Sequence, residues 1–391
     1  MADEHARLSP SASARWLSCP ASVRMEKRVP KPSESFYAYE GTLAHELAEL
    51  ELSHALGKID DETLKRRYDE WVAEVTRWSQ TSGLDRYDLV DMKRHIGDLV
   101  ALVRHKLEEE PNSTVLLESR VYPGIEGCYG TADIIIVSGS HIEVIDLKYG
   151  QGVRVSAKDN SQLRLYGLGA LELVDGLLGD IKTVTTTIVQ PRLNSLSSET
   201  LTARELRAWR GKIRPIAVEA LEGSDRFGPS PSACQFCPAA GECRARMEYM
   251  AQSDFGGDPD LLSPEEIGEL IDRIPDIQRW CSSVQEAALR MVFSEGKTIP
   301  GKKVVLSNGR RSIKDEVGAI QTLIDHGYTA EQVAALRIKT IGDLEKLVGA
   351  KELARVLDKF FVKTVGKPAL VPEDDDRPAV NPESEAAKDF Q

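Results

Sequence analysis

"GTADIIIVSGSHIEVIDLKYGQG" runs from Gly130 to Gly152. Its two apolar runs, 132–137 and 141–147, are rich in β-branched residues and flank Ser138-Gly139-Ser140, so they read as two strands joined by a tight turn. Each run carries an acid where a plain buried strand wants none. Asp133 interrupts the first; Asp146 ends the second, with Lys148 two residues on and therefore on the same face of a strand. Two carboxylates brought within a few ångströms resist joint ionisation unless a cation sits between them. A divalent metal with oxygen ligands resolves that conflict. A lysine beside it can orient or help deprotonate a water and neutralise charge growing on a phosphate. The chemistry suggested is phosphodiester hydrolysis. As an isolated tripeptide, Asp-x-Lys reads better as a strand-end ion pair, with Asp133 capping a turn; its neighbours in the chain decide the matter.

Upstream, "EGTLAHELAELELSHAL" (40–56) has helical apolar spacing and carries His45. Residues 61–110 add one or two long charged helices. "TVLLESRVY" (114–122) is a strand containing Glu118, and "NSQLRLYGLGALEL" (160–173) is a helix that places Gln162 and Tyr166 four apart on one face. "TVTTTIVQPR" (183–192) is another strand, and residues 200–222 a further helix. The order is helix, three strands, helix, strand.

These motifs resemble the RecB-like branch of the PD-(D/E)XK nucleases. The resemblance covers roughly residues 36–192: Gly41 to His45, Gly130 to Asp133, Asp146 to Lys148, and Gln162 to Tyr166 match the branch's four motifs. It implies an α/β restriction-endonuclease-like core in which His45, Asp133 and Asp146 hold Mg²⁺ or Mn²⁺. It also implies that Lys148 assists the attacking water, with Glu118, Gln162 and Tyr166 completing the catalytic set. The whole chain, through "GKPALVPEDDDRPAV", is further similar to an uncharacterised family encoded in phage replication modules.

Six cysteines are present. Cys234, Cys237 and Cys243 form C-x2-C-x5-C, while Cys19 stands far upstream. Clustered thiolates bind zinc or, four together, a 4Fe–4S cluster. The arrangement resembles the iron–sulfur nucleases of the same branch, CRISPR-associated exonucleases among them. That resemblance implies that Cys19 is the fourth ligand and that a 4Fe–4S staple joins the two ends of the nuclease core, with Zn²⁺ the competing occupant. Cys128 and Cys281 read as packing residues.

At 41% hydrophobic and 29% charged residues, the chain of 391 reads as a globular protein with room for two or three domains. No apolar stretch has membrane-spanning length and "MADEHARLSP" is no signal peptide, so a cytoplasmic protein with no membrane partner is expected. A net charge of −12 argues against a surface coated in phosphate-binding cations. Part of that charge lies between Gly366 and Gln391, which hold seven acids and three bases. Arg154, Lys158, Arg164 and Arg192 are candidates for lining a local DNA groove.

The expected organisation is a nuclease domain over 1–250, a mainly helical domain over 251–370 with a small hairpin at Asn308-Gly309, and a disordered acidic tail over 371–391. The expected activity is a metal-dependent DNA exonuclease, acting on single strands or free ends in phage replication or recombination, with phage replication proteins as partners. The alternative is a non-catalytic nucleic-acid-binding or scaffolding protein that keeps a nuclease-like core.

Overall fold

A computed structural model of the chain describes residues 6–30, 36–82, 86–150, 154–174, 180–251 and 263–306, then 309, 311–333, 341, 344, 348–363, 368–372 and 378. They divide into two compact units, Met1–Ile277 and Gln278–Gln391. Among the described residues no helix is long and apolar enough to cross a membrane.

The first unit is built on five strands in sequential order: β1 (Thr114–Val121), β2 (Gly130–Ser138), β3 (His141–Leu147), β4 (Thr183–Gln190) and β5 (Ser195–Thr202). All neighbours are antiparallel except β3 and β4, which run parallel. Gly139, at φ 53, turns the β2–β3 hairpin in two residues. A parallel pair cannot be joined by a hairpin, and the helix α6 (Ser161–Val174) makes the crossover.

The apolar runs of β2 and β3 are continuous because both faces of the sheet are covered. On one face lie α3 (Phe36–Ala55), α4 (Asp61–Ser82) and α5 (Arg86–Glu109); Leu43, Leu47, Met92 and Ile96 pack there on Ile134, Ile136, Ile145 and Leu147. On the other face α6 packs Leu163, Leu168 and Leu171 on Ile135, Val137, Ile142 and Val144. A third cluster ties the N-terminal helices α1 (Ser13–Ser18) and α2 (Ser22–Glu26) to α7 (Ala203–Glu222), joining Leu8, Trp16 and Val23 to Ile213 and Ala217. The helix α7 opens with a capping box between Thr202 and Glu205 and ends at Gly223.

The strand β5 escapes the sequence pattern. Its exposure alternates along all eight residues. It is an edge strand whose half-buried face, Ser195, Ser197, Glu199 and Leu201, holds one large apolar residue, so its place comes from backbone pairing with β4 rather than from apolar content.

In the second unit, helices Glu316–Asp325 and Ala350–Leu357 enclose a small core of Leu323, Leu353, Leu357 and Phe360. Of the hairpin expected at Asn308-Gly309, Asn308 lies outside the described residues, and the strands on either side of it pair with later segments. Strand β6 (Lys302–Leu306) pairs with β9 (Pro368–Pro372), and β7 (Arg311–Ile313) with β8 (Phe361–Lys363). An isolated two-stranded hairpin of such short strands is marginal in water, and pairing with the end of the chain replaces it. The unit is therefore helices with two small sheets. Val371 and Pro372, read as the start of a disordered tail, belong to β9; apart from Pro378, the rest of that tail lies outside the described residues.

Helix α6 approaches β1 so closely at Gly169 that an added Cβ would stand 2.6 Å from Val121 Cβ. Helix propensity alone would make Gly169→Ala stabilising by about 1 kcal/mol. Overpacking of roughly 1–3 kcal/mol opposes it here, so urea denaturation should find the variant less stable than the parent.

Candidate metal centre and cysteine pocket

The site begins where two strands part. The β2–β3 ladder ends at Ile134↔Ile145, yet β3 goes on pairing with β4 through Leu147↔Val189, and Lys148 N–H still donates to Val189 O at 2.9 Å. In the resulting fork Leu147 N–H donates to Asp133 Oδ2 at 2.7 Å. The side chain of Asp133 thus stands in for the missing strand partner.

Across the sheet on the other side, Leu117↔Ile134 and Ser119↔Ala132 pair, but Glu118 between them drops out of the ladder. It takes φ 44, a left-handed conformation that costs a non-glycine residue about 1–3 kcal/mol. Helix α3 brings His45 over the fork, its Nδ1 3.4 Å from Asp133 Oδ2. One ligand atom each from His45, Glu118 and Asp133 lie within 4.8 Å of one another. Glu49, one helical turn beyond His45, lines the same cleft and lies 3.6 Å from Arg67. The i, i+4 spacing to His45 was the signal that could have singled it out.

Asp146 is buried beside this trio. Its Oδ1 accepts from Gln162 Nε2 at 3.3 Å, and Lys148 Nζ lies 3.0 Å from its Oδ2. Lys148 Nζ also donates to Gln162 Oε1 at 3.4 Å, and Gln162 Nε2 reaches Tyr166 Oη at 3.4 Å. Gln162 therefore bridges the acid, the lysine and the phenol. Asp146 Oδ2 is buried and is held by the charge of the Lys148 ammonium rather than by an aligned hydrogen bond.

The acids perturb one another. Glu118 is exposed as a whole residue, yet desolvation pushes its carboxyl up to about 8, aided by the negative charges of Asp133, Glu49 and Asp146. Asp133 is raised first by burial and then by Asp146, against the opposing pull of His45, the Leu147 N–H and Lys148. Burial also holds the Tyr166 phenol above its ordinary value.

Of the four cations read as DNA-binding, two are engaged with carboxylates. Arg164 donates to Glu199 at 2.8 and 2.9 Å and to Asp159 at 2.7 Å; Arg192 donates to Glu40 at 2.8 Å and lies over the Tyr149 ring. Arg154 and Lys158 are exposed.

A second site gathers Cys19, Cys234, Cys237 and Cys243 around one cavity, with Arg246 in its wall. Cys19 is delivered by a close backbone contact. Ala21 N–H donates to Arg226 O at 3.1 Å, and a Cβ on Gly228 would stand 2.0 Å from Ser18 O. The Cys234 and Cys237 thiols are pushed up by burial, and each feels the negative charge of the other cysteines. Arg246 is 2% exposed and pairs through Nη2 with Asp276 at 2.5 Å, while its Nε and Nη1 have no hydrogen-bond partner among the described residues. Cys128 is a packing residue, its thiol pushed up to about 12 by burial. Cys281, read as packing, is exposed instead, on the helix Pro264–Glu295.

A family model described as "Protein of unknown function (DUF2800)" matches residues 5–378. Among solved structures, one titled "Crystal structure of SSO0001" aligns at 12% identity over 58% of this chain and 95% of its own, with a TM-score of 0.24, a likeness too slight to carry an inference.

The carboxyl shifts set a pH dependence. A carboxyl raised on folding contributes stability that is full below its unfolded value near 4.3 and is lost as pH rises through the folded value. For Glu118 that window closes at about 8. The metal-free protein should therefore lose melting temperature across this range. Mn²⁺ should raise the melting temperature more at pH 8 than at pH 6, and Glu118→Gln should remove most of that difference.

Proposed function

The chain belongs to the DUF2800 family, and from the geometry of its forked sheet we propose that it is a metal-dependent nuclease of the RecB-like PD-(D/E)XK type. It hydrolyses phosphodiester bonds in DNA, as an exonuclease working from ends or along single strands, in the setting of phage replication or recombination in a host cytoplasm. The observation that carries this reading is the convergence of His45, Glu118 and Asp133 within 4.8 Å, next to an Asp146–Lys148 pair bridged by Gln162.

The donors suit the metal. One imidazole nitrogen and several carboxylate oxygens match Mg²⁺ or Mn²⁺ better than a thiophilic ion. The buried Asp146 offers a further carboxylate, its Oδ2 facing the Lys148 ammonium at 3.0 Å. Carboxyls raised by mutual repulsion are relieved by a cation. A metal ion bound there supplies Lewis acidity toward water and a phosphoryl oxygen.

The remaining work falls to the chain itself. Lys148 holds its ammonium beside Asp146, where it orients the attacking water and balances negative charge growing on the phosphoryl oxygens. Gln162 fixes the lysine and the aspartate in one geometry by accepting from the first and donating to the second. Tyr166 stays protonated, because burial holds its phenol above the ordinary value, and receives the other contact of the Gln162 amide.

The cysteine pocket fits a 4Fe–4S cluster held by Cys19, Cys234, Cys237 and Cys243, with zinc as the competing occupant. Four free thiols surround one cavity, and the unpartnered N–H groups of Arg246 in its wall suit a group that carries thiolate charge. The cluster would tie the N-terminal helices to the segment after α7.

Asp146→Ala and Lys148→Ala should each lower the digestion of labelled DNA by about 100-fold or more while the melting curve stays cooperative. His45→Ala and Asp133→Ala should also weaken Mn²⁺ binding by calorimetry. Parental digestion by Asp146→Ala, or activity that survives full chelation by EDTA, would show the site to be wrongly assigned.

Protein prepared without oxygen should be brown and carry iron and sulfide. Cys19→Ser should bleach it and lower its melting temperature, whereas Cys128→Ser and Cys281→Ser should keep the colour. Colourless protein with one zinc per chain would replace the cluster with a structural zinc site.

A further inference from the structure

Past the fork, the sheet changes which side its residues face. On β1, Val115 and Leu117 join the core under α3, while Leu116 and Val121 join the core under α6. Strict alternation would put 116 and 121 on opposite faces. The phase therefore slips by one between them, and the left-handed Glu118 stands at the slip. On β2, Ala132 and Ile135 both face α6, again an odd separation, while Ile134 faces α3; the slip falls at Asp133.

The slip has a consequence for the residues beyond it. Counting on from Val121 and back from Ala132, it turns Arg120 of β1 and Thr131 of β2 to the α3 side, and Tyr122 and Tyr129, each one residue outside its strand, stand against Arg120 there. This is the side from which His45 reaches the fork. There Arg120, Tyr122 and Thr131 are exposed and Tyr129 is half-buried. The Arg120 guanidinium lies 4.4 Å from the Tyr129 ring centroid and 6.0 Å from that of Tyr122, and the two rings stand 5.9 Å apart, tilted by 41°. Four steps along the chain lead from Tyr129 to Asp133, about 13 Å at a strand's rise. A few nucleotides of extended chain cover that distance.

We propose that Arg120, Tyr122 and Tyr129 form a stacking platform for a nucleobase of an unpaired strand whose scissile phosphate lies at His45, Glu118 and Asp133, so that the site takes single-stranded nucleic acid. The proposal rests on the nuclease reading and narrows its substrate. Aromatic rings and a guanidinium plane receive any base by its π-face, without reading sequence. In a duplex those faces are covered by neighbouring base pairs; in a single strand they are open. Charge gives a second argument. A chain of net charge −12 has no general attraction for a polyanion, and Arg164 and Arg192 near the core are engaged with carboxylates. Stacking then supplies grip that bulk charge does not.

Binding in EDTA separates this from cleavage. The full chain would be titrated, by fluorescence anisotropy, into a labelled oligothymidine and into a blunt duplex of equal length. The single strand should bind more tightly. Tyr122→Ala with Tyr129→Ala should weaken single-strand binding about tenfold or more, with little effect on the duplex, and the two Tyr→Phe changes should preserve it. One abasic nucleotide, moved along the strand, should reach a position where it costs the parent about as much as the double substitution and costs the substituted protein nothing. Tyr122→Leu alone, at a residue 55% exposed, provides a variant whose fold is not at stake and should show part of the loss. Equal single-strand binding by parent and both variants, or a parent that prefers the duplex, would overturn the platform while leaving the nuclease reading intact. A parent that binds neither form and cleaves neither with Mn²⁺ would remove the nuclease reading itself, and the platform with it.

Discussion

One hydrogen bond, from the Leu147 N–H to Asp133 Oδ2 at 2.7 Å, sets the form of the rest. Where β2 and β3 part, a buried N–H must find an acceptor. Asp133 provides it, which spends one carboxylate oxygen on the backbone and keeps the side chain between the strands. β3 is not lost from the sheet, because β4 holds it through Leu147↔Val189 and the Lys148 N–H. The fork can therefore open on one side only, toward β1, and there Glu118 accepts a left-handed backbone. The placement of the three carboxylates follows from this single break in the ladder.

Such a break is tolerated because the sheet around it is over-determined. Helices α3, α4 and α5 cover one face and α6 the other, and the apolar runs of β2 and β3 are buried against both. The burial that steadies the strands also raises Glu118 and Asp133. Folding thus concentrates negative charge in a place with little water to disperse it. Lys148 answers part of that charge, and Gln162 keeps the lysine from swinging away.

Much of this was legible in the chain. Apolar runs punctuated by Gly139 gave the hairpin, and the acids inside those runs marked the site because buried strands rarely carry unpaired charge. His45, Gln162 and Tyr166 were readable from helical spacing plus resemblance. The edge strand β5 was not, since an alternating Ser/Thr strand owes its place to a partner. The pairing of β6 with β9 was hidden by a strong local turn signal and by the long stretch of chain between them. The engagement of Arg164 by Glu199 and Asp159 was equally hidden, because Glu199 lies 35 residues away on the unrecognised strand. The phase slips at Glu118 and Asp133 have no signature in residue type; they appear only when the two cores are compared.

The contact between Ser18 and Gly228 also bears on how the protein is made. The first cysteine leaves the ribosome more than two hundred residues before its three companions, so the pocket that Cys19 lines is completed only late in synthesis. Contacts of such sequence separation form late. Ile125, Cys128 and Leu165 give Leu8, Trp16 and Val23 part of their cover before α7 is made; Ile213 and Ala217 complete it. The packing around Trp16 is therefore closed in two stages of synthesis, by residues 125–165 first and by α7 and Gly228 last.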